Sequence, residues 1–156
     1  MSAKKYRVLV VDDNRDSAES MAELLAISGF EVETRFDGHS ALAVCEKFRP
    51  DACLLDINMP GMDGYELARH LRARFADHPP VFATMTAYGD DAHLERAVDA
   101  GFDLQFTKPV DTHEVVEQLE ESVRKAEAAD PVEHDGSVLR RLLSRVMEQW
   151  SKRNKK

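Results

Sequence analysis

Four short apolar runs, the last two interrupted by polar residues, most strongly limit how this chain can fold. They lie at 6–11, 52–55, 81–85 and 102–106. Short runs without clean alternation of apolar and polar residues are typical of strands that are buried on both faces of a sheet. A fifth segment, 31–36, alternates apolar and polar side chains and therefore predicts an edge strand.

A segment with helical periodicity follows each of these five predicted strands. Three of these segments begin at a residue whose side chain can cap a helix, namely Asn14, Asp63 and Asp111. The other two helices are predicted over 38–48 and 90–100. Strand and helix thus alternate five times, which predicts an α/β fold with a parallel sheet and helices on both faces.

Length and composition indicate one folded domain with a short appendage. The chain has 156 residues, of which 43% are apolar and 32% are charged, as in ordinary globular proteins. No apolar run reaches the length of a signal-peptide core or a membrane span. With only Cys45 and Cys53 as thiols, a disulfide framework is not expected. We therefore expect a cytoplasmic protein with no membrane span and with both thiols reduced in the core.

The charge is divided unevenly between the body of the chain and its C-terminal segment. Residues 137–156 contain seven cations and one acid, a net charge of +6, so residues 1–136 carry −14. An acidic body argues against nucleic acid as a partner. The segment 126–136, which contains Pro131 and several acids, predicts a linker.

The C-terminal segment predicts a basic amphipathic helix that begins near Ser137. Such a helix is marginal alone in water, so its apolar face should pack against the body of the protein, a second subunit or a separate target. A membrane or nucleic-acid role is the weaker alternative. The apolar residues that share one helical face are Leu139, Leu142, Leu143, Val146, Met147 and Trp150.

Polar residues at the carboxyl ends of the predicted buried strands carry the chemistry. They are Asp12 and Asp13, Asp56, Thr86 and Lys108. Ligands of such sheets bind at this edge. Two carboxylates about 4 Å apart repel each other by about 4 kcal/mol at an effective dielectric constant near 20, so a cation is expected. Oxygen ligands with open positions suit Mg²⁺, and with the lysine and the threonine hydroxyl they describe a pocket for a phosphoryl group.

These residues also carry a family resemblance. Asp12-Asp13, the segment 56–64 (Asp-Ile-Asn-Met-Pro-Gly-Met-Asp-Gly), Thr86-Ala87 and Lys108-Pro109 resemble the receiver domain of two-component response regulators. The match covers roughly residues 5 to 125, and five separated motifs coincide in order. The resemblance implies a doubly wound five-stranded parallel sheet of order 2-1-3-4-5. We therefore divide the chain into a receiver domain (1–125), a linker (126–136) and a basic amphipathic C-terminal helix (137–156), and we expect no effector domain.

The resemblance also implies a role for each site residue. Asp56 would be the phosphoacceptor, which takes its phosphoryl group from a phosphohistidine of a sensor histidine kinase or a phosphotransfer protein. Mg²⁺ would be held by Asp13, by Asp56 and by the backbone carbonyl of Asn58, with Asp12 acting largely through a metal-bound water. Lys108 and Thr86 would contact phosphoryl oxygens, and the bond between Lys108 and Pro109 is cis in the family.

The function implied is a phosphorylation-dependent signalling switch. It would catalyse only its own phosphorylation and dephosphorylation, and its output would be a changed protein-interaction surface for a downstream target or a second copy of the chain. One departure from the family is Gln105, which stands where an aromatic residue is common.

Other interpretations remain open from the sequence. Taken singly, each acid could be a helix cap or an exposed turn residue, Lys108 a surface charge, and Thr86 a helix cap. A phosphate-independent scaffold acting through the C-terminal helix would keep the same fold. A phosphohydrolase would normally need an acid two residues after its nucleophile, where this chain has Asn58.

Overall fold

Strands and helices alternate along residues 5–128 in the order that the sequence predicts. The computed structural model describes residues 5–86, 91–128, 145–150, 152 and 153, and only the backbone of 91–94. The elements are β1 (Arg7–Val11), α1 (Arg15–Ile27), β2 (Glu31–Arg35), α2 (Gly38–Phe48), β3 (Ala52–Asp56), α3 (Gly64–Arg74), β4 (Val81–Thr86), α4 (Asp91–Ala100), β5 (Leu104–Thr107) and α5 (Thr112–Ala128).

The five strands form one sheet in which all neighbours are parallel. Their order is β2-β1-β3-β4-β5, as the family resemblance implies. β1 pairs with β2 on one side and with β3 on the other, so the chain reverses its direction of progress across the sheet at β1. Sheets with such a reversal bind ligands beyond the carboxyl ends of the strands that flank it, which here are β1 and β3.

Two hydrophobic clusters cover the two faces of the sheet, which explains the apolar runs of the sequence. Helices α2, α3 and α4 pack on one face, where Leu9 and Leu55 are fully buried. Helices α1 and α5 pack on the other face, where Val10 and Leu54 are fully buried. Each fully buried side chain of this size contributes about 1.5–3 kcal/mol through the hydrophobic effect.

The two thiols lie in the first of these clusters, as predicted. Cys45 lies in α2 and Cys53 in β3, and both are buried and free.

Polar side chains begin the helices at the predicted residues. Asn14 accepts a hydrogen bond from the backbone N–H of Ser17 (3.1 Å), and Asp63 accepts one from Glu66 (2.9 Å). These bonds satisfy N–H groups that have no partner within the first turn of a helix. Asp63 thereby fixes the start of α3 beside the loop that follows β3.

The strand predicted at 102–106 begins later, at Leu104. Phe102 instead ends α4, because its N–H donates to the carbonyl of Ala97 (2.9 Å). Gly101 has φ +91°, the left-handed conformation that this kind of helix end requires.

Helix α5 extends into the predicted linker. It ends at Ala128, so residues 126–128 are helical. Residues 126–128 are Ala-Glu-Ala, and both residue types favour helix. This local preference explains why the helix continues past the predicted start of the linker. Residues 129–136 of the predicted linker lie outside the described residues.

The C-terminal segment is helical at 145–150 and at 152–153, and we call these residues the C-terminal helix. Val146 is half-buried, whereas Met147 is 60% exposed and Trp150 is 38% exposed. The expected burial of the apolar face therefore holds for Val146 but not for Met147. The predicted cap at Ser137 and the leucines at 139, 142 and 143 lie outside the described residues.

Candidate functional site

Three carboxylates meet beyond the carboxyl ends of β1 and β3. Asp12 and Asp13 follow β1, and Asp56 is the last residue of β3. One oxygen from each of the three lies within 4.8 Å of the others. Asp12 and Asp56 are buried and Asp13 is exposed, so the cluster opens to solvent on one side.

The two oxygens of Asp12 have different surroundings. Oδ1 accepts a hydrogen bond from the backbone N–H of Asn14 (3.0 Å). Oδ2 is buried and has no hydrogen-bond partner in the part of the chain that the structure describes. A buried polar atom without a partner is costly, so this oxygen is suited to a ligand that supplies positive charge.

The environment of Asp56 opposes its ionisation in the absence of a cation. Burial, which is the largest cause, and the negative charges of Asp12 and Asp13 together raise the pKa of Asp56 to about 6. The charge of Lys108 acts in the opposite direction, with its Nζ 3.5 Å from Oδ1 of Asp56. A divalent cation would remove most of the repulsion among the carboxylates.

Lys108 and Thr86 flank the cluster from the neighbouring strands. Lys108 directly follows β5, and its backbone N–H donates to the carbonyl of Thr86 at the end of β4 (2.8 Å). Thr86 is buried, whereas the Lys108 side chain is 41% exposed. The peptide bond between Lys108 and Pro109 is cis, as the resemblance implies.

The donor set fits Mg²⁺. All candidate ligands are oxygens, the cluster carries one buried oxygen that has no partner among the described residues, and its open side leaves room for water or a phosphoryl group. Asn58 is exposed in the loop between β3 and α3, two residues after Asp56. The structure thus brings together Asp12, Asp13, Asp56 and Lys108 as the sequence predicts, with Thr86 at the adjacent strand end.

Gly64, the first residue of α3, has a role that the sequence pattern does not reveal. Its N–H donates to the carbonyl of Ile57 (3.0 Å). A Cβ atom at this position would collide with the carbonyl oxygen of Asp56 and lie 3.0 Å from the Cα of Ile57. Only glycine lets α3 begin this close to the carbonyl of Asp56. The available signal was a glycine directly after the capping residue Asp63.

A second overlooked residue is Thr84 in the middle of β4. It is in register with Gln105 on β5, the position where the sequence departs from the family pattern. The Thr84 hydroxyl is buried and unpaired among the residues described, and Gln105 is half-buried. In the sequence, Thr84 is one polar residue within an apolar run, and nothing in that pattern indicates whether its hydroxyl finds a partner.

No helix in the described ranges is both long enough and apolar enough to cross a membrane.

The fold and the site together define a class of protein. A parallel sheet of order β2-β1-β3-β4-β5, with acids after β1 and β3 and a lysine after β5, is the arrangement expected of a receiver domain. The family model of the response regulator receiver domain matches residues 8–120. The chain belongs to this family, whose members are in general phosphorylation-dependent switches.

Relatives and solved structures agree with this assignment. The chain is 35% identical over 127 residues to the response regulator MprA of Mycobacterium avium (strain 104), covering 81% of this chain and 55% of that protein. It therefore spans little more than half the length of this relative. A CheY-like receiver domain protein from Methanospirillum hungatei JF-1 superposes with a TM-score of 0.75 at 26% identity, covering 81% of this chain and all of the other.

A response regulator structure from Chloroflexus aurantiacus J-10-fl gives a TM-score of 0.72 at 30% identity. That match covers 78% of this chain and 99% of the other.

Proposed function

We propose that this protein is a phosphorylation-dependent switch in which Asp56 accepts a phosphoryl group from a phosphohistidine. The donor would be a sensor histidine kinase or a phosphotransfer protein. The observation that carries the proposal is the cluster of three carboxylates within 4.8 Å, with Lys108 at 3.5 Å from Asp56. If these acids were unrelated surface residues, there would be no reason for a lysine to lie 3.5 Å from the buried carboxylate of Asp56.

The chemistry proposed for Asp56 is nucleophilic. An Asp56 carboxylate oxygen forms a bond to phosphorus while the bond between phosphorus and the histidine nitrogen breaks, and the histidine retains the electron pair. Mg²⁺ held by Asp12, Asp13, Asp56 and the Asn58 carbonyl would neutralise charge on the phosphoryl oxygens. The chain would catalyse only its own phosphorylation and dephosphorylation.

Lys108 and Thr86 would register the arrival of the phosphoryl group. The phosphoryl group adds between one and two negative charges at neutral pH. The Lys108 ammonium can pair with one phosphoryl oxygen, and the Thr86 hydroxyl can donate to another. Because the Lys108 N–H is bonded to the Thr86 carbonyl, β4 and β5 would respond together. The response would alter the face formed by α4, β5 and α5.

We propose a division of the chain to accompany this function. Residues 1–125 would be the receiver domain, 126–136 the linker and 137–156 the basic C-terminal helix. The output would be contact with a downstream protein target or with a second copy of the chain.

The test is intact-protein mass spectrometry after incubation with Mg²⁺ and acetyl phosphate, a small phosphoryl donor. The wild-type chain should gain one phosphoryl group, and Asp56→Asn should gain none. Asp103→Asn is the matched control, because Asp103 also has a pKa raised to about 6 but lies at the amino end of β5. This control should be phosphorylated like the wild type.

Two results would contradict the proposal. A phosphoryl adduct of equal yield on Asp56→Asn would place the acceptor elsewhere. No adduct on the wild type with either acetyl phosphate or a phosphorylated histidine kinase would favour the phosphate-independent scaffold.

A further inference from the structure

The C-terminal helix lies against the start of β5 and the second half of α5. A cavity of about 360 Å³ separates the two parts, and both contribute to its walls. Asp103, Glu121 and Ser122 line it from the receiver domain, and Arg145, Val146 and Gln149 line it from the helix. We call the receiver side of this cavity the β5–α5 base, defined by Asp103, Leu104, Gln118, Glu121, Ser122 and Lys125.

The β5–α5 base is remote from the phosphoacceptor position. Asp103 lies before the first residue of β5, whereas Lys108 lies after its last residue. In a parallel sheet these positions are at opposite edges. The cavity therefore does not belong to the carboxylate cluster at Asp56.

Charge complementarity links the two walls of the cavity. Burial raises the pKa of Asp103, and the hydrogen bond from Lys125 lowers the pKa of Glu121; the positive charge of Arg145 acts on both carboxyl groups in addition and favours their ionised forms. Helix α5 is acidic, with five glutamates against Arg124 and Lys125, whereas the described part of the C-terminal helix has three cations against Glu148. Arg145 thus shares the cavity with two carboxylates of an acidic surface.

Little apolar surface is buried between the two parts. The cavity between them is partly open to solvent, and polar and charged side chains line most of it. Val146 is half-buried, but Met147 and Trp150 remain 60% and 38% exposed. The contact therefore depends on charge more than on apolar burial, and such contacts weaken as salt is added.

We propose that the β5–α5 base is a docking surface for a basic helix, and that its occupant is the C-terminal helix of the same chain. The helix binds in cis, with Arg145 between Asp103 and Glu121, and it exchanges between docked and released states. The inference does not depend on phosphoryl transfer, so it can fail or hold independently of the proposed function.

Cross-linking of the full-length protein tests which helix occupies the surface. Ser122→Cys and Gln149→Cys place two thiols on opposite walls of the cavity, while the native Cys45 and Cys53 are buried. A short bismaleimide should link the two new thiols within one chain in dilute protein. The yield should fall at least about threefold between roughly 0.05 and 0.5 M NaCl. Cross-links only between chains would show that a second copy is the occupant, and no cross-link would show that the surface is empty; either result overturns the proposal.

Charge reversal tests the role of Arg145 in the same double-cysteine background. Arg145→Glu and Glu121→Arg should each reduce the intrachain yield, and the two together should restore it. Glu120→Arg is the matched control. Glu120 pairs with Arg124 in the same way that Glu121 pairs with Lys125, but Glu120 does not line the cavity. Combined with Arg145→Glu, this control should not restore the yield. Equal restoration by Glu120→Arg would refute the specific contact.

Intrinsic fluorescence gives an independent readout without introduced thiols. Trp150 is the only tryptophan of the chain and lies on the C-terminal helix. Arg145→Glu should increase its quenching by acrylamide, whereas Arg153→Glu, a reversal on the same helix that does not line the cavity, should not. Unchanged quenching in Arg145→Glu would contradict docking through this residue.

Discussion

Replacing Asp103 by asparagine should stabilise the protein at neutral pH. Asp103 is half-buried, and its carboxylate accepts a hydrogen bond from the backbone N–H of Phe82 (2.9 Å) at the start of β4. Burial of the carboxyl group is the largest cause that raises its pKa from 3.8 to about 6; the hydrogen bond and the charges of Arg72 and Arg145 only partly offset it. An asparagine oxygen can accept the same hydrogen bond without carrying a charge.

The sign and size of the effect follow from the two pKa values. Between pH 4 and pH 6 the folded state binds the Asp103 proton more tightly than the unfolded state does. The free energy of unfolding therefore falls as pH rises through this range and levels off above it. At about 1.4 kcal/mol per pH unit, the difference between 3.8 and about 6 amounts to up to about 3 kcal/mol. Asp103→Asn should match the wild type near pH 4 and exceed its stability by up to this amount at pH 7.5.

Urea unfolding followed by far-ultraviolet circular dichroism, at several pH values between about 4 and 7.5, measures this difference. Adding Mg²⁺ to both proteins reduces the separate contribution of Asp56, which also has a pKa of about 6. Asp103→Ala serves as the comparison, because it leaves the N–H of Phe82 without its acceptor and should lose about 1–3 kcal/mol of stability relative to Asp103→Asn at every pH. If Asp103→Asn kept the pH dependence of the wild type, or were less stable at pH 7.5, the assigned cause would be wrong.

Three further substitutions test individual features of the site and the core. Gly64→Ala should cost about 1–3 kcal/mol of unfolding free energy and reduce phosphorylation of Asp56, because the new methyl group collides with the Asp56 carbonyl; urea unfolding at wild-type stability would contradict this. Asp12→Asn should lower the pKa of Asp56, seen in a carbon-13 NMR titration, and should weaken Mg²⁺ binding in calorimetry by about tenfold or more; an unchanged titration would show that the Asp12 charge is not felt. Thr84→Val should be neutral or stabilise by up to about 1 kcal/mol, because it removes a buried hydroxyl without a partner among the described residues; a thermal unfolding midpoint clearly below that of the wild type would show that the hydroxyl is bonded.

The strands and their order could be predicted because burial on both faces leaves a direct trace in the sequence. The runs around Leu9 and Leu54 are apolar throughout, since alternate residues enter different clusters. Element ends were less predictable. Phe102 is as apolar as a strand residue, but its backbone N–H donates to Ala97 at the end of α4. This helix end depends on the positive φ of Gly101, which the apolar pattern does not indicate.

The site was predictable where its residues stand at strand ends. Asp12, Asp13, Asp56 and Lys108 follow strands directly, so topology alone brings them to one edge of the sheet. Other features depend on distances that no sequence pattern encodes. The approach of Gly64 to the Asp56 carbonyl is one example.

The cavity shared by Arg145 and Asp103 is another. It joins residues 42 positions apart in the numbering, across a segment whose composition indicates only a linker.

The two outer strands restrict how another protein can attach to this sheet. An edge strand offers an unpaired row of backbone groups to any further strand. β5 has only four residues, and β2 carries Glu31, Glu33 and Arg35 along its five. A short edge and a charged edge both discourage pairing between sheets. Partners should therefore bind side chains on the surface of this protein, and they should not add a strand to its sheet.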